Sequence, residues 1–166
     1  MTRDDIEFEA AASARYHRRR AAFLERMSQM FSFLTLAGGA GAFVAIVGEA
    51  TLIAKIAALA TAVVSIIQIV SQTDKAANEH RHWLRAWNNI LREVHQNDNP
   101  KPSMLAGWIE RKYEIEGECV VEMKALANDS FNRTLNALGR EGEPFRLSWW
   151  QKLWMQFFSF DNAKYR

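Results

Sequence analysis

The side chains able to do chemistry in this chain fall into a few groups, and the first of them argues against catalysis. Histidine occurs at positions 17, 80, 82 and 95. His80 and His82 are two apart, so a helix points them away from each other and they make a poor metal pair. His80 is expected instead at a packing seam or interface. Cys119 is the single cysteine; it offers no disulfide framework and has no local signature of a nucleophile. Glu110, Glu114, Glu116, Glu118 and Glu122 have the look of acid–base pairs. They alternate with Arg111, Lys112 and Lys124, which makes them a solvated charged face. The chain has no glycine-rich phosphate loop, no metal-ligand spacing and no GxSxG. The expectation is a non-enzyme without catalytic residues, cofactor or metal.

The second group consists of polar side chains set into apolar sequence. Thr61, Ser65, Gln68 and Gln72 fall at i, i+4, i+7 and i+11, which is one helical face. Ser28, Ser32, Thr35 and Gly39 repeat that spacing. Hydroxyls and amides placed this way tie helices together by hydrogen bonds. In an oligomer they also line a water-filled path, since polar groups in a bilayer face away from lipid. Both uses stay open, with Ser32, Thr35, Thr61, Ser65, Gln68 and Gln72 as the candidates. A third group, Arg15, Arg18, Arg19 and Arg20, contacts lipid headgroups or phosphate. Basic residues beside a membrane gain about 1 kcal/mol each near anionic lipid. A fourth group is the aromatic run Trp149, Trp150, Trp154, Phe157, Phe158 and Phe160. Tryptophan at that density suits the headgroup level of a bilayer or a docking surface for protein.

Two apolar runs must position these groups. Residues 31–48 read FSFLTLAGGAGAFVAIVG, without an ionisable side chain, and residues 52–70 read LIAKIAALATAVVSIIQIV, with only Lys55 charged. A membrane-spanning helix needs about 20 apolar residues. The two runs therefore predict a spanning helical hairpin that turns at 48–51, with Lys55 reaching back to the surface. Small residues recur every fourth position, at Ala37, Gly41 and Ala45 and at Ala50, Ala54, Ala58 and Ala62, a pattern that lets helices approach closely in lipid. The alternative is a buried hairpin in a soluble bundle. It fits poorly, because a soluble helix normally keeps a polar face.

The net charge of +2 gives no electrostatic case for nucleic acid. Its distribution is more telling. Arginines 15, 18, 19, 20 and 26 precede the first run, and Lys75, Arg81, Arg85 and Arg92 follow the second, whereas the turn carries only Glu49. The positive-inside rule then places both termini in the cytoplasm of a multi-pass protein. A cleavable leader is not expected, because the first apolar run begins after thirty residues.

The fold class expected is all-α, with long cytoplasmic extensions on the hairpin. Asp4 or Asp5 caps a helix starting near Ile6, with Ala12, Tyr16, Phe23, Met27 and Met30 near one face. Thr73, Ala76, His80, Trp83, Trp87, Ile90 and Val94 form a heptad seam, ending at the breakers 97–100. A third helix starts at Pro102, with a break or bend at 127–130, and is capped by Gly139. This divides the chain into a hairpin with extensions (1–97), a cytoplasmic helix or helix pair (102–139) and an aromatic segment with a polar tail (145–166).

An arginine-rich helix, a Gly/Ala-rich span, a tight turn and a second span running into DKAANEHRHWLRAWNNILREV resembles the layout of the SLATT domain family. These are two-span membrane effectors of bacterial conflict systems. The resemblance covers about residues 11–94 and brings no active-site residues. It implies a homo-oligomer in the bacterial inner membrane that forms a pore or disrupts the bilayer in an antiphage, abortive-infection response. Membrane lipids and a sensor or signalling protein would be its partners. No appended nucleotide-sensing domain is visible, so the trigger would act through a partner or the helices after Pro100. The rivals are a non-conducting scaffold, adaptor or phage membrane protein, and a soluble helical-bundle interaction module.

Overall fold

The structure is a computed structural model that describes residues 1–47, 52–119 and 122–160, without the side chains of 42–47, 53 and 54. Every described element is a helix: α1 (Arg3–Val47), α2 (Leu52–Ser71), α3 (Thr73–Gln96), α4 (Pro102–Glu118), α5 (Lys124–Leu138) and α6 (Trp149–Trp154). The turn expected at 48–51 and the tail at 161–166 lie outside the described residues. The chain forms two compact units. Unit 1 gathers Met1–Arg20 and His80–Arg166, and unit 2 is Ala21–Glu79.

Helix α1 starts earlier than expected. Thr2 Oγ1 accepts from the Asp5 amide at 3.2 Å, and Asp5 Oδ2 accepts from the Thr2 amide at 2.7 Å. This reciprocal cap moves the start from Ile6 to Arg3. The buried face also differs. In unit 1, α1 buries Ile6, Ala10, Ala14, Tyr16 and His17, while Met30 of unit 2 is exposed. The heptad seam of α3 is buried in unit 1, but mainly against the start of α1 rather than the 12–30 stretch or another subunit: Ile6, Ala10 and Ala14 cluster with Trp87, Ile90, Val94, Trp108 and Ile115. Each large member of that cluster gains roughly 1.5–3 kcal/mol from burial.

Helices α4 and α5 close unit 1. Pro102 at the first turn of α4 supplies a preset φ where no amide donor is needed. Trp108 of α4 is 1 % exposed, and its indole N–H donates to Glu93 at 2.9 Å. Arg111 binds the same carboxylate, and together these contacts hold the Glu93 carboxyl down at about 2, with Arg111 the main cause. The interruption expected at 127–130 falls instead after α4, which ends at Glu118, and α5 runs straight through Asp129 and Ser130. Both find partners without breaking the helix. Asp129 pairs with Arg19 at 2.7 Å and Arg133 at 2.8 Å, and the Ser130 hydroxyl donates to the Leu126 carbonyl at 2.8 Å. Gly139 ends α5 at φ +60°, a conformation nearly free of cost for glycine. Asn132 then clamps the backbone of Phe145 from both sides, donating to its carbonyl at 2.7 Å and accepting from its amide at 2.8 Å.

In unit 2, α2 stops at Ser71 and α3 begins at Thr73. Between them Gln72 sits at φ +44°, a left-handed conformation that costs a non-glycine residue about 1 kcal/mol or more. The second apolar helix is therefore interrupted at Gln72 before the seam begins.

Candidate functional site

The polar residues of the two apolar runs converge in unit 2. Gln68 Nε2 donates to Ser32 Oγ at 3.0 Å, and the hydroxyls of Thr35 and Ser65 share a hydrogen bond at 3.3 Å. Thr35 Oγ1 also lies 3.5 Å from Gln68 Oε1. A turn further along, the Cα of Gly38 faces Thr61, whose Oγ1 would stand 1.8 Å from a Cβ built there. Rising numbers on α2 meet falling numbers on α1, so the two helices are antiparallel and in register. Thr61 and Ser65 also bond back to the carbonyls of Ala57 and Thr61, both at 2.9 Å. The ladder thus ties one helix to the other inside a single chain.

Within the single chain the small residues expected at helix contacts stay mostly uncovered. Ala37, Gly41 and Ala62 are exposed and Ala58 is half-buried; Ala50 and the side chains of Ala45 and Ala54 lie outside the described residues. Gly41 and Gly39 have nothing within 4 Å of a built Cβ. Gly38 makes the close approach. Its signal in the sequence was present, since a glycine opposite a threonine permits backbone contact, but choosing it required the register of α1 on α2.

Two of the four arginines expected at headgroups or phosphate are held inside unit 1. Arg19 pairs with Asp129, whose carboxyl burial pushes up but Arg133 and Arg19 pull below the usual range on balance. Arg20 Nη1 donates to the Gln156 carbonyl and approaches its Oε1 at 3.4 Å. These arginines find partners within the fold that only tertiary structure could disclose. Arg18 is exposed and Arg15 half-buried.

Unit 1 also contains a pair that the sequence reading missed. His17 and His80 share a hydrogen bond between their Nδ1 atoms at 2.8 Å. The bond requires one ring to donate and the other to accept. Burial, with His80 nearby, pushes His17 down to about 3; burial, with Arg20 nearby, pushes His80 down to about 4. Tyr16 and Trp83 pack on the His80 ring, at centroid distances of 5.9 and 5.2 Å. Among the described residues no group of three His, Cys, Asp or Glu is placed to hold a metal. The missed signal was the 3–4 spacing of Ile6, Ala10, Ala14 and His17.

Beside this pair lies a cavity of about 770 Å³ walled by Phe8, Tyr16, Trp87, Phe131 and Phe145. Its polar lining is largely committed. Lys112 Nζ sits 2.8 Å from Glu9 and 3.6 Å from Glu116, and the Tyr16 hydroxyl accepts from the Met123 amide at 3.0 Å. The Trp87 indole nitrogen is buried without an acceptor. Glu110, Glu114, Glu116, Glu118 and Glu122 are all exposed, as a solvated face requires, although Glu122 also borders this cavity and burial there pushes its carboxyl up.

At the far end of unit 1, Ser148 and Gln151 form a reciprocal cap on α6. The rings of Trp149 and Trp150 stack at 4.2 Å. Trp149, Trp150, Trp154, Phe157 and Phe158 all remain exposed, and Phe160 is half-buried. Set against protein-family models, curated proteins and solved structures, the chain finds no match in any of the three.

Proposed function

We propose that this chain is an oligomeric membrane effector of a bacterial conflict system. In this reading residues 31–48 and 52–70 both cross the inner membrane and both termini are cytoplasmic. Several copies assemble, and a signal received by unit 1, directly or through a sensor protein, makes the assembly breach the bilayer. The carrying observation is the exposure of α2. Within the stretch Lys55–Gln96, which runs from α2 into α3, only 6 % of the 18-residue window apolar enough to cross a membrane is buried. The core helix of a soluble protein is mostly covered, so lipid is the solvent this surface fits. Two spans cannot enclose a water path alone, and the exposed Ala37, Gly41 and Ala62 offer a second copy a small-residue face. The antiphage role rests on the SLATT-like layout of the sequence. Gating would be a shift between two helix packings, biased by whatever unit 1 binds.

A second reading, a non-conducting scaffold or adaptor, is favoured by one specific observation. Ser32, Thr35, Ser65 and Gln68 bond one another within the chain and need no aqueous lumen to satisfy them. Liposomes loaded with a self-quenching dye and reconstituted with the purified protein separate the two. Leakage that Gln68→Leu and Ser65→Ala diminish supports the effector. Retention of dye by a correctly inserted protein supports the scaffold.

A further inference from the structure

The geometry points to the segment around α6 as a bilayer-interface anchor, a lipid-binding surface of unit 1 that rests on the membrane reading above and extends it. Six large apolar side chains are exposed within ten residues: Trp149, Trp150, Leu153, Trp154, Phe157 and Phe158. A contiguous patch of this kind marks an interaction surface rather than ordinary exposure.

The segment is built, not frayed. The Ser148–Gln151 cap starts α6, and the Asn132 clamp holds the chain leading into it. Arg20 grips the Gln156 carbonyl beyond its end, and the Ser159 hydroxyl donates to the Glu122 carbonyl at 3.3 Å. The rings are therefore displayed from a fixed platform.

Charge selects the occupant. Between Glu143 and Asp161 the sequence has no acidic side chain, while Arg146 and Lys152 are basic. Indoles with basic neighbours match an anionic headgroup layer, where the ring body sits in the acyl boundary and its N–H stays at the polar level. The exposed α2 of the same chain already calls for lipid, so the occupant is supplied without a further protein.

The test uses the full chain with Cys119→Ser and a nitroxide on Leu153→Cys or Trp150→Cys, reconstituted in phosphatidylethanolamine/phosphatidylglycerol vesicles. Both positions are exposed, so labelling leaves the packed core alone. A control label goes on Ile66→Cys in α2. Power saturation then compares collisions with oxygen and with a water-soluble nickel chelate. The expected result is a severalfold preference for oxygen at 153 and 150, at a shallower depth than at 66. A label at 153 that collides freely with nickel overturns the anchor, and so does one shielded from both reagents, which would mean a second copy or partner protein covers the patch. If 66 is lipid-exposed in either case, the anchor fails while the spanning helix stands; if 66 is also aqueous, the membrane reading itself fails.

Discussion

Unit 1 and unit 2 draw on the same two long helices, α1 and α3, and treat like side chains in opposite ways. Ile90 and Val94 of unit 1 are 1 % and 0 % exposed, whereas Ile69 and Val70 of unit 2 are 75 % and 74 % exposed. Polar groups invert as well. Unit 1 has buried ionic and imidazole groups fastened to one another, such as Asp129 with Arg19 and His17 with His80. The helix pairing of unit 2 is marked by a ladder of hydroxyls and an amide. Water as solvent explains the first arrangement, because it drives apolar groups inward and charges a price for unpaired polar ones. Lipid, the solvent proposed for α2, would explain the second, since it leaves apolar groups indifferent and rewards polar contacts between helices.

The sharpest way to break this comparison is a matched pair of truncations. Trp108→Ala should cost unit 1 about 3–5 kcal/mol, because it opens the core and removes a donor from Glu93. Ile69→Ala should leave the same denaturant midpoint unchanged. Equal effects would mean that the two units do not differ as described. Next in size, Gly38→Ala should force α1 and α2 apart, at about 1–3 kcal/mol for overpacking, because its Cβ overlaps Thr61. Spin-label distances between the two helices would lengthen or broaden. Gly39→Ala and Gly41→Ala, with open space around them, should change nothing in that measurement.

Acid should loosen unit 1 through its imidazoles. His17 and His80 are held at about 3 and about 4 in the fold, below the ordinary 6.5. The unfolded chain therefore binds protons first as pH falls. The stability they confer is complete above pH 6.5 and is lost progressively down to pH 3–4. Thermal unfolding of unit 1 should drop by about 5 °C or more between pH 7 and 5, and His80→Asn should flatten the slope. Glu93, held at about 2 by Arg111, acts in a lower window that overlaps the acid end of this one, losing its contribution only below pH 4.5. The smallest effect belongs to Ser148→Ala. Loss of the cap should cost about 1 kcal/mol locally, read as faster amide exchange in Trp149–Trp154 with the global midpoint unmoved.

Much of the architecture was legible from pattern. The stripe Thr61, Ser65 and Gln68, the breaker at 97–100, Pro102 and Gly139 each act through local geometry that a sequence exposes. The misses share a different cause. Asp129 looked like part of a break because its partner Arg19 lies 110 residues away. Arg19 and Arg20 looked like headgroup contacts because nothing local revealed Asp129 and Gln156. His17 needed His80 across 63 residues, and Gly38 needed the helix register. Pairings made only by tertiary packing stay hidden in a single sequence, whereas caps, periods and apolar length do not.

The central claim is that α2 has lipid for its solvent. Membranes from expressing bacteria washed with alkaline carbonate test it most directly. The account predicts that the protein stays in the membrane pellet and is released by detergent alone. Recovery of the folded chain in the carbonate supernatant, dispersed without detergent, would contradict it.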